Sequence, residues 1–104
     1  MDLDRVPSMT AYGAAVHRAV HQDLEGGLVF ADPLAWQILG VTPDQKAEII
    51  AEARSGASSN LRIFIAARHR FAEDVAAEAS LRGVDQIIVL GAGLDTFAYR
   101  RSGA

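Results

Sequence analysis

Hydrophobic residues recur at helical spacing in two long stretches of the chain. The first, "SMTAYGAAVHRAVHQDLEGG", opens with Ser8, a favourable N-cap, and closes with two glycines, so it predicts a helix over about residues 9–24. The second runs from about Asn60 to Arg82 and is ended by Gly83. Both stretches are amphipathic and can form the frame of a helical bundle.

Two shorter helices are predicted between them from their capping residues. Asp32 and the proline that follows it predict a short helix that ends at Gly40. Thr42 forms a capping box with Gln45, and a proline stands at the first helical position between them. Gly56 predicts the end of this third helix.

The pattern changes in "QIIVL", which is apolar without interruption and rich in β-branched residues. A central parallel strand, covered on both faces, has this character. No other segment has a strand pattern, so the partner strands of the sheet are missing from the chain. We therefore expect an α/β fold that is truncated after its first strand and mostly helical as it stands, and a chain that is the front part of a longer protein.

Glycines follow the predicted strand in "VLGAGLDT". Gly91 and Gly93 allow a tight turn and close backbone approach to a ligand, as at the nucleotide-binding strand ends of α/β folds. The dinucleotide fingerprint would need a third glycine where Thr96 stands. Two alternatives stay open: a dinucleotide-binding oxidoreductase, whose diagnostic acidic residue would lie beyond the chain, and a turn that binds nothing.

Composition narrows the classes of partner. The net charge is −3 without a block of like charge, which argues against nucleic acid or an anionic membrane as partners. The chain has no cysteine, no signal-peptide pattern and no apolar run of membrane-spanning length, so we predict a cytoplasmic protein. His17 and His21 have metal-ligand spacing, but further ligands are absent, so no metal site is predicted.

One face of the last long helix carries an arginine among apolar residues. Arg68 shares this predicted face with three of them: Phe64, Phe71 and Val75. If the face is buried, the guanidinium needs an anionic partner. A snorkelling side chain, or a salt bridge to Glu73 or Asp74, is the alternative. His69 and Arg70 point elsewhere.

Several other residues receive structural assignments. Phe30, Trp36 and Phe64 are predicted to lie in the core, and Arg100 and Arg101, which follow the glycine motif, are predicted to be solvated.

Four segments, in order, resemble S-adenosylmethionine-dependent methyltransferases related to leucine carboxyl methyltransferase. They are "TAYGAAVHRA", "FADPLAWQIL", "AARHRFAEDV" and "VLGAGLDTFAYR". The resemblance implies a class I, Rossmann-like methyltransferase fold in which residues 1–84 form a helical lid and residues 85–104 form the first strand and glycine motif. It also implies a site for S-adenosylmethionine made of Arg68, Gly91, Ala92, Gly93, Asp95 and Thr96.

Within that site, the resemblance implies that the glycine turn cups the amino-acid end of the cofactor and that Arg68 holds its carboxylate. The implied reaction is methyl transfer to an acceptor oxygen, with a carboxylate-bearing small molecule as the expected acceptor. No catalytic residue is identified, because an ionised acceptor needs neither a base nor a metal. The ribose-binding strand and the acceptor pocket would lie beyond Ala104. We therefore expect the chain alone to self-associate and to be inactive, and a non-catalytic helical remnant stays a further alternative.

Overall fold

The computed structural model of the chain describes residues 9–56, 58–89 and 94–101, and this part is mostly helical. Its α-helices are α1 (Met9–Leu24), α2 (Pro43–Ser55), α3 (Ser59–Leu81) and α4 (Phe97–Arg101). A 3-10 helix over Gln37–Leu39 lies between α1 and α2. Helix α1 is the centre of the fold, since both α2 and α3 pack against it. None of the described helices is long and apolar enough to cross a membrane.

Local capping determines the helix ends as the sequence predicts. The Thr42 hydroxyl accepts from the Gln45 amide at 3.1 Å, while the Gln45 side chain accepts from the Thr42 amide at 2.8 Å, which confirms the capping box. Gly83, just past the end of α3, has a φ of 95°, a value that favours glycine. Ser8, the predicted cap of α1, lies outside the described residues.

The second predicted helix is only partly helical. The Asp32 carboxylate accepts from the Leu34 amide at 2.9 Å, so this residue does cap the turn. The segment then forms a turn and the three-residue 3-10 helix, which ends at Gly40 with a φ of 65°. About seven residues between two breakers are too few for a stable α-helix, and a short 3-10 segment takes its place.

The core between α1, α3 and the loop after α1 consists mainly of small residues. Its apolar members are Ala15, Ala19, Val20, Phe30, Ala35, Ile65 and Ala66. The prediction of a core position is therefore confirmed for Phe30, whereas Trp36 is half-buried and Phe64 is exposed. Alanines of the facing helices fill this part of the core, and Phe30 adds a ring to it from the loop after α1.

The buried face of α3 is not the predicted one. The face that packs inward carries Arg62, Ile65 and Ala66. The predicted stripe is instead exposed, by 59 % at Phe64, 72 % at Phe71 and 48 % at Val75. Periodicity identified an apolar stripe correctly, but the position of α1 determines which side of α3 is covered.

The apolar segment "QIIVL" does not form a strand in the described part of the chain. Residues 84–89 have no regular secondary structure, and no described segment pairs with them in a β-ladder. Their side chains are exposed, by 51 % at Ile87 and 79 % at Ile88, as expected for a strand sequence without a sheet. Leu90 and the glycine motif through Gly93 lie outside the described residues.

Candidate functional site

A cleft of about 640 Å³ opens between α1, α3 and Asp95, which stands near the end of the glycine motif "VLGAGLDT". Its lining includes Phe64, Arg68 and His69 from α3, His17 from α1, and Asp95. The structure therefore brings together two of the six predicted cofactor-binding residues, Arg68 and Asp95. Three others, Gly91, Ala92 and Gly93, lie outside the described residues.

Arg68 lies at the exposed side of this cleft, with its guanidinium carbon 5.9 Å from the centre of the Phe64 ring. The argument that it lies on a buried stripe is wrong, because that stripe faces outward. The salt-bridge alternative is not seen among the described residues either, since Asp74 pairs with Arg70 and Glu73 pairs with Arg100. The packing on Phe64 fits the snorkelling alternative, and it leaves the guanidinium accessible from the cleft.

Asp95 enters the cleft from the start of α4. One of its carboxylate oxygens accepts from the Phe97 amide at 2.9 Å, which fixes the side chain at the helix N-terminus. The residue is half-buried. The lining of the cleft thus carries both a carboxylate and a guanidinium.

The sixth predicted residue, Thr96, faces away from the cleft into a buried charged cluster. Its side chain is 0 % exposed. The Thr96 hydroxyl donates to the Asp32 carboxylate at 2.7 Å and accepts from Arg100 Nε at 2.8 Å. The Thr96 side chain therefore does not line the cleft in the described part of the chain.

Asp32 is the centre of the charged cluster. Gln22 on α1 holds the loop that carries it, because its side-chain amide donates to the Phe30 carbonyl and accepts from the Asp32 amide, both at 2.9 Å. The Asp32 carboxylate lies 3.1 Å from Arg18 Nε and 3.4 Å from Arg100 Nε. The cluster thus joins α1, the loop after it and the segment after the glycine motif.

Arg18 connects this cluster to the glycine motif and to the cleft. One terminal nitrogen donates to the Leu94 carbonyl, and the other lies 3.4 Å from His69 Nε2. Its Nε is close to Asp32 but poorly aligned, so this contact is a charge pair without a hydrogen bond. Burial lowers the pKa of Arg18, and the Asp32 carboxylate opposes this effect.

Arg100 is not solvated, contrary to the sequence-based prediction. Its guanidinium donates to both carboxylate oxygens of Glu73, and the bond from Nη1 to Oε1 is 2.9 Å long. It also lies over the Phe30 ring at 5.2 Å from the ring centre. The hydrogen bonds to Glu73 raise the pKa of Arg100. Helix α4 directs the Arg100 side chain inward. The residue type alone does not reveal this direction.

His69, which is predicted from the sequence to point away from the face of Arg68, also lines the cleft. Its ring stacks on Phe30 with centroids 5.4 Å apart, and Nε2 faces a nitrogen of Arg18 that can only donate. Burial and the positive charge of Arg18 lower the pKa of His69, which favours the neutral ring. His69 is four residues after Ile65 and seven after Arg62, so it shares their face of α3, but only the structure shows that this face is buried.

A second buried cluster accounts for one of the two spaced histidines. His21 Nε2 accepts from the amides of Val29 and Phe30, both at 3.2 Å, and Nδ1 lies 3.0 Å from Glu25. Glu25 in turn accepts two hydrogen bonds from Arg62, at 2.7 and 2.8 Å. His21 therefore holds the loop after α1. No group of three metal-ligating side chains occurs within the ranges that the structure describes.

Comparison with known proteins identifies the family. The model of the leucine carboxyl methyltransferase family matches residues 11–104. The chain belongs to this family. The membership disfavours the dinucleotide-binding oxidoreductase that the glycine motif alone left open.

Two curated relatives support the assignment. Over 94 residues, the chain is 35 % identical to a protein of Streptomyces avermitilis and 34 % identical to one of Streptomyces coelicolor, each named as a candidate S-adenosyl-L-methionine-dependent methyltransferase. Each match covers 88 % of this chain but 33 % of the relative, so the chain spans about a third of the length of these proteins. No solved structure matches the chain at a significant level.

Proposed function

We propose that the chain supplies the cofactor-binding front part of an S-adenosylmethionine-dependent methyltransferase with an α/β, Rossmann-like fold. The observation that carries the proposal is the cleft in which Arg68 of α3 and Asp95 of the glycine motif meet, in a member of a methyltransferase family. In this proposal residues 1–84 form the helical lid and residues 85–104 provide the first strand and its turn.

The lining of the cleft suits the methionine end of the cofactor, which carries one carboxylate and one ammonium group. The guanidinium of Arg68 is a planar donor that can bind a carboxylate through two hydrogen bonds. Asp95 offers an acceptor for the ammonium group. The cleft volume of about 640 Å³ lies within the range of small-molecule sites.

The electrostatics of the cleft also suit a sulfonium donor. When bound, S-adenosylmethionine supplies a methyl group whose bond to sulfur breaks as a bond to the acceptor oxygen forms, and the electron pair stays on sulfur. The lowered pKa of His69 favours the neutral ring, which adds no positive charge that would repel a sulfonium. Phe64, Leu61 and Ile65 provide apolar surface in the lining of the cleft.

A carboxylate is the acceptor that this arrangement favours. It is already ionised at neutral pH, so the protein needs to hold donor and acceptor in line and does not need to remove a proton. His69 lines the cleft, but its Nε2 faces Arg18 at 3.4 Å and is therefore not directed at an acceptor as a base. Residues for the acceptor and the cofactor ribose would belong to the part of the relatives that this chain does not span.

The remaining properties of the protein follow from this assignment as proposals. We expect a cytoplasmic protein without nucleic-acid or membrane partners, given its mixed charge. We expect the 104-residue chain alone to bind the cofactor weakly, to transfer no methyl group, and to self-associate through its exposed apolar residues.

The experiment that tests the cofactor site is an NMR titration of the chain with S-adenosylmethionine, which detects millimolar affinity. Saturable shifts at the amides of Arg68, His69 and Asp95 are expected. Arg68→Ala should weaken the affinity by about tenfold, because an exposed guanidinium contributes less to binding than a buried one. Arg70→Ala, which removes a neighbouring arginine already paired with Asp74, is the matched control and should leave the affinity unchanged.

Two outcomes would contradict the proposal in different ways. Equal affinities of wild type and Arg68→Ala would remove this arginine from the site. Shifts that do not saturate in the wild type would show that the cleft does not hold the cofactor in this chain.

A further inference from the structure

Thr96 belongs to the glycine motif but is withdrawn completely from the cleft. Its hydroxyl uses both its donor and one acceptor position inside the protein, toward Asp32 and Arg100. A residue of this motif that is fully buried and fully paired can influence a ligand only through the backbone to which it belongs. That backbone runs directly into Asp95 on one side and into α4 on the other.

The segment around Thr96 is held at several points by the same charged cluster. Arg18 donates to the Leu94 carbonyl, two positions before Thr96. The Thr96 carbonyl accepts from the amides of Tyr99 and Arg100, both at 3.0 Å, and this starts α4. Arg18 and the loop residue Asp32 are far from the motif in sequence, so the N-terminal region reaches across the fold to this segment.

We propose that Thr96 is a positioning residue of the cofactor site. Through Asp32, Arg18 and Arg100, its hydroxyl fixes the chain directly after the glycines and thereby sets where Asp95 enters the cleft. The inference rests on the proposed function in so far as the cleft holds the cofactor. The part played by the hydroxyl within the fold stands on contacts of the protein alone.

The charged cluster requires a hydroxyl group at position 96. Asp32 is surrounded by Arg18, Arg100 and the hydroxyl, and only the hydroxyl can donate to the carboxylate and accept from Arg100 Nε at the same time. Valine has nearly the same shape as threonine but can do neither. Serine keeps both hydrogen bonds and loses one methyl group.

The test compares Thr96→Val with Thr96→Ser in the complete chain without ligand. Hydrogen exchange is measured at the amides of Phe97, Tyr99 and Arg100, which bond to Asp95 or Thr96. Thr96→Val should accelerate their exchange by about tenfold, the factor expected for loss of a buried hydrogen bond. Thr96→Ser should restore the wild-type rates, while amides in the middle of α1 and α3 stay unchanged in both variants.

Titration with S-adenosylmethionine then tests whether holding this segment in place affects cofactor binding. Thr96→Val is expected to weaken the affinity by about tenfold, and Thr96→Ser should rescue it. In combination with Asp32→Asn, the loss should be smaller than the sum of the two single losses, because both changes break the same contact. A residue that touched the cofactor itself would give additive losses.

The other outcomes of the exchange and titration experiments also test the positioning role of Thr96. Equal exchange in Thr96→Val and wild type, or acceleration spread evenly over α1 and α3, would overturn the positioning role. If Thr96→Val loses its helical circular dichroism, Thr96→Ala replaces it, with the same expectations. A wild type that binds no cofactor refutes the proposed function, and the exchange data still decide whether the hydroxyl holds the segment.

Discussion

The two faces of helix α3 differ in an unusual way, because charged residues are found on the inner face and large aromatic residues on the outer one. The face toward α1 buries Arg62, with Glu73 half-buried farther along, while the outer face exposes the rings of Phe64 and Phe71. The buried charges are tolerated because each meets an opposite charge with good geometry: Arg62 binds Glu25, and Glu73 binds Arg100. The inner face of α3 therefore combines the apolar residues Ile65 and Ala66 with charges that are paired to distant segments.

The comparison indicates different roles for the two faces. The inner face joins the N-terminal helix to the glycine motif through fixed contacts, so its residues should be sensitive to any change of charge. The outer face, together with Ile87 and Ile88, has no partner in the described part of the chain, so changes there should affect association more than folding. The predictions below test this difference.

The largest effect is expected at the centre of the charged cluster. Asp32→Ala leaves Arg18 buried without its counter-charge and should cost about 3 to 5 kcal/mol of unfolding free energy, or abolish folding. Urea denaturation followed by circular dichroism measures this change. Asp85→Ala, at an exposed position after α3, is the control and should stay within about 0.5 kcal/mol of wild type. Similar stabilities for the two variants would contradict the importance of the cluster.

A smaller effect on the free energy of unfolding is expected at the Arg62–Glu25 ion pair, for which the chain offers an exposed ion pair as a control. The Arg62–Glu25 and Arg82–Glu78 pairs both have an N–O distance of 2.7 Å, but the second is largely exposed. Glu25→Gln should cost about 1.5 to 3 kcal/mol, the range for hydrogen bonds to charged groups. Glu78→Gln should cost about 0.3 to 0.5 kcal/mol. Equal costs in urea denaturation would show that burial does not distinguish the pairs.

The same pair predicts a pH dependence. Hydrogen bonds from Arg62 lower the pKa of Glu25 below its ordinary value of 4.5. The stabilisation is therefore complete above that value and is lost as the pH falls through the lower folded-state pKa. The stability difference between wild type and Glu25→Gln should be largest at neutral pH and should shrink toward about pH 3. A difference that is constant between these pH values would refute the ionised pair.

The smallest effect on folding is expected at the outer face. Phe71→Ser should change the free energy of unfolding by no more than about 0.5 kcal/mol, because the ring is exposed. The same change should reduce self-association, measured by light scattering as a function of protein concentration. A loss of several kcal/mol would mean that this face is covered in the folded chain, and unchanged scattering would exclude Phe71 from the associating surface.

Much of the local structure is predictable from the sequence because its causes lie within a few residues. The capping box at Thr42 and the glycine after α3 act on neighbouring backbone groups, and both are found where the pattern predicts them. The predicted strand at residues 85–89 is not formed in the described part of the chain, because a strand needs a partner that local sequence does not supply. The glycine motif and its surroundings were sufficient to indicate the methyltransferase family.

The candidate site was less predictable, because its contacts join segments that are far apart in the chain. Thr96 and Asp32 are separated by 64 positions, and Arg18 and Leu94 by 76. A local pattern specifies which side of a helix is apolar, but only the placement of a neighbouring helix specifies which side is buried. The sequence by itself therefore determined the three long helices α1, α2 and α3 and the family motif. The tertiary structure alone decided that Arg100 and Thr96 turn inward, that His69 joins the cleft and that Phe71 faces outward, because burial depends on contacts between distant residues.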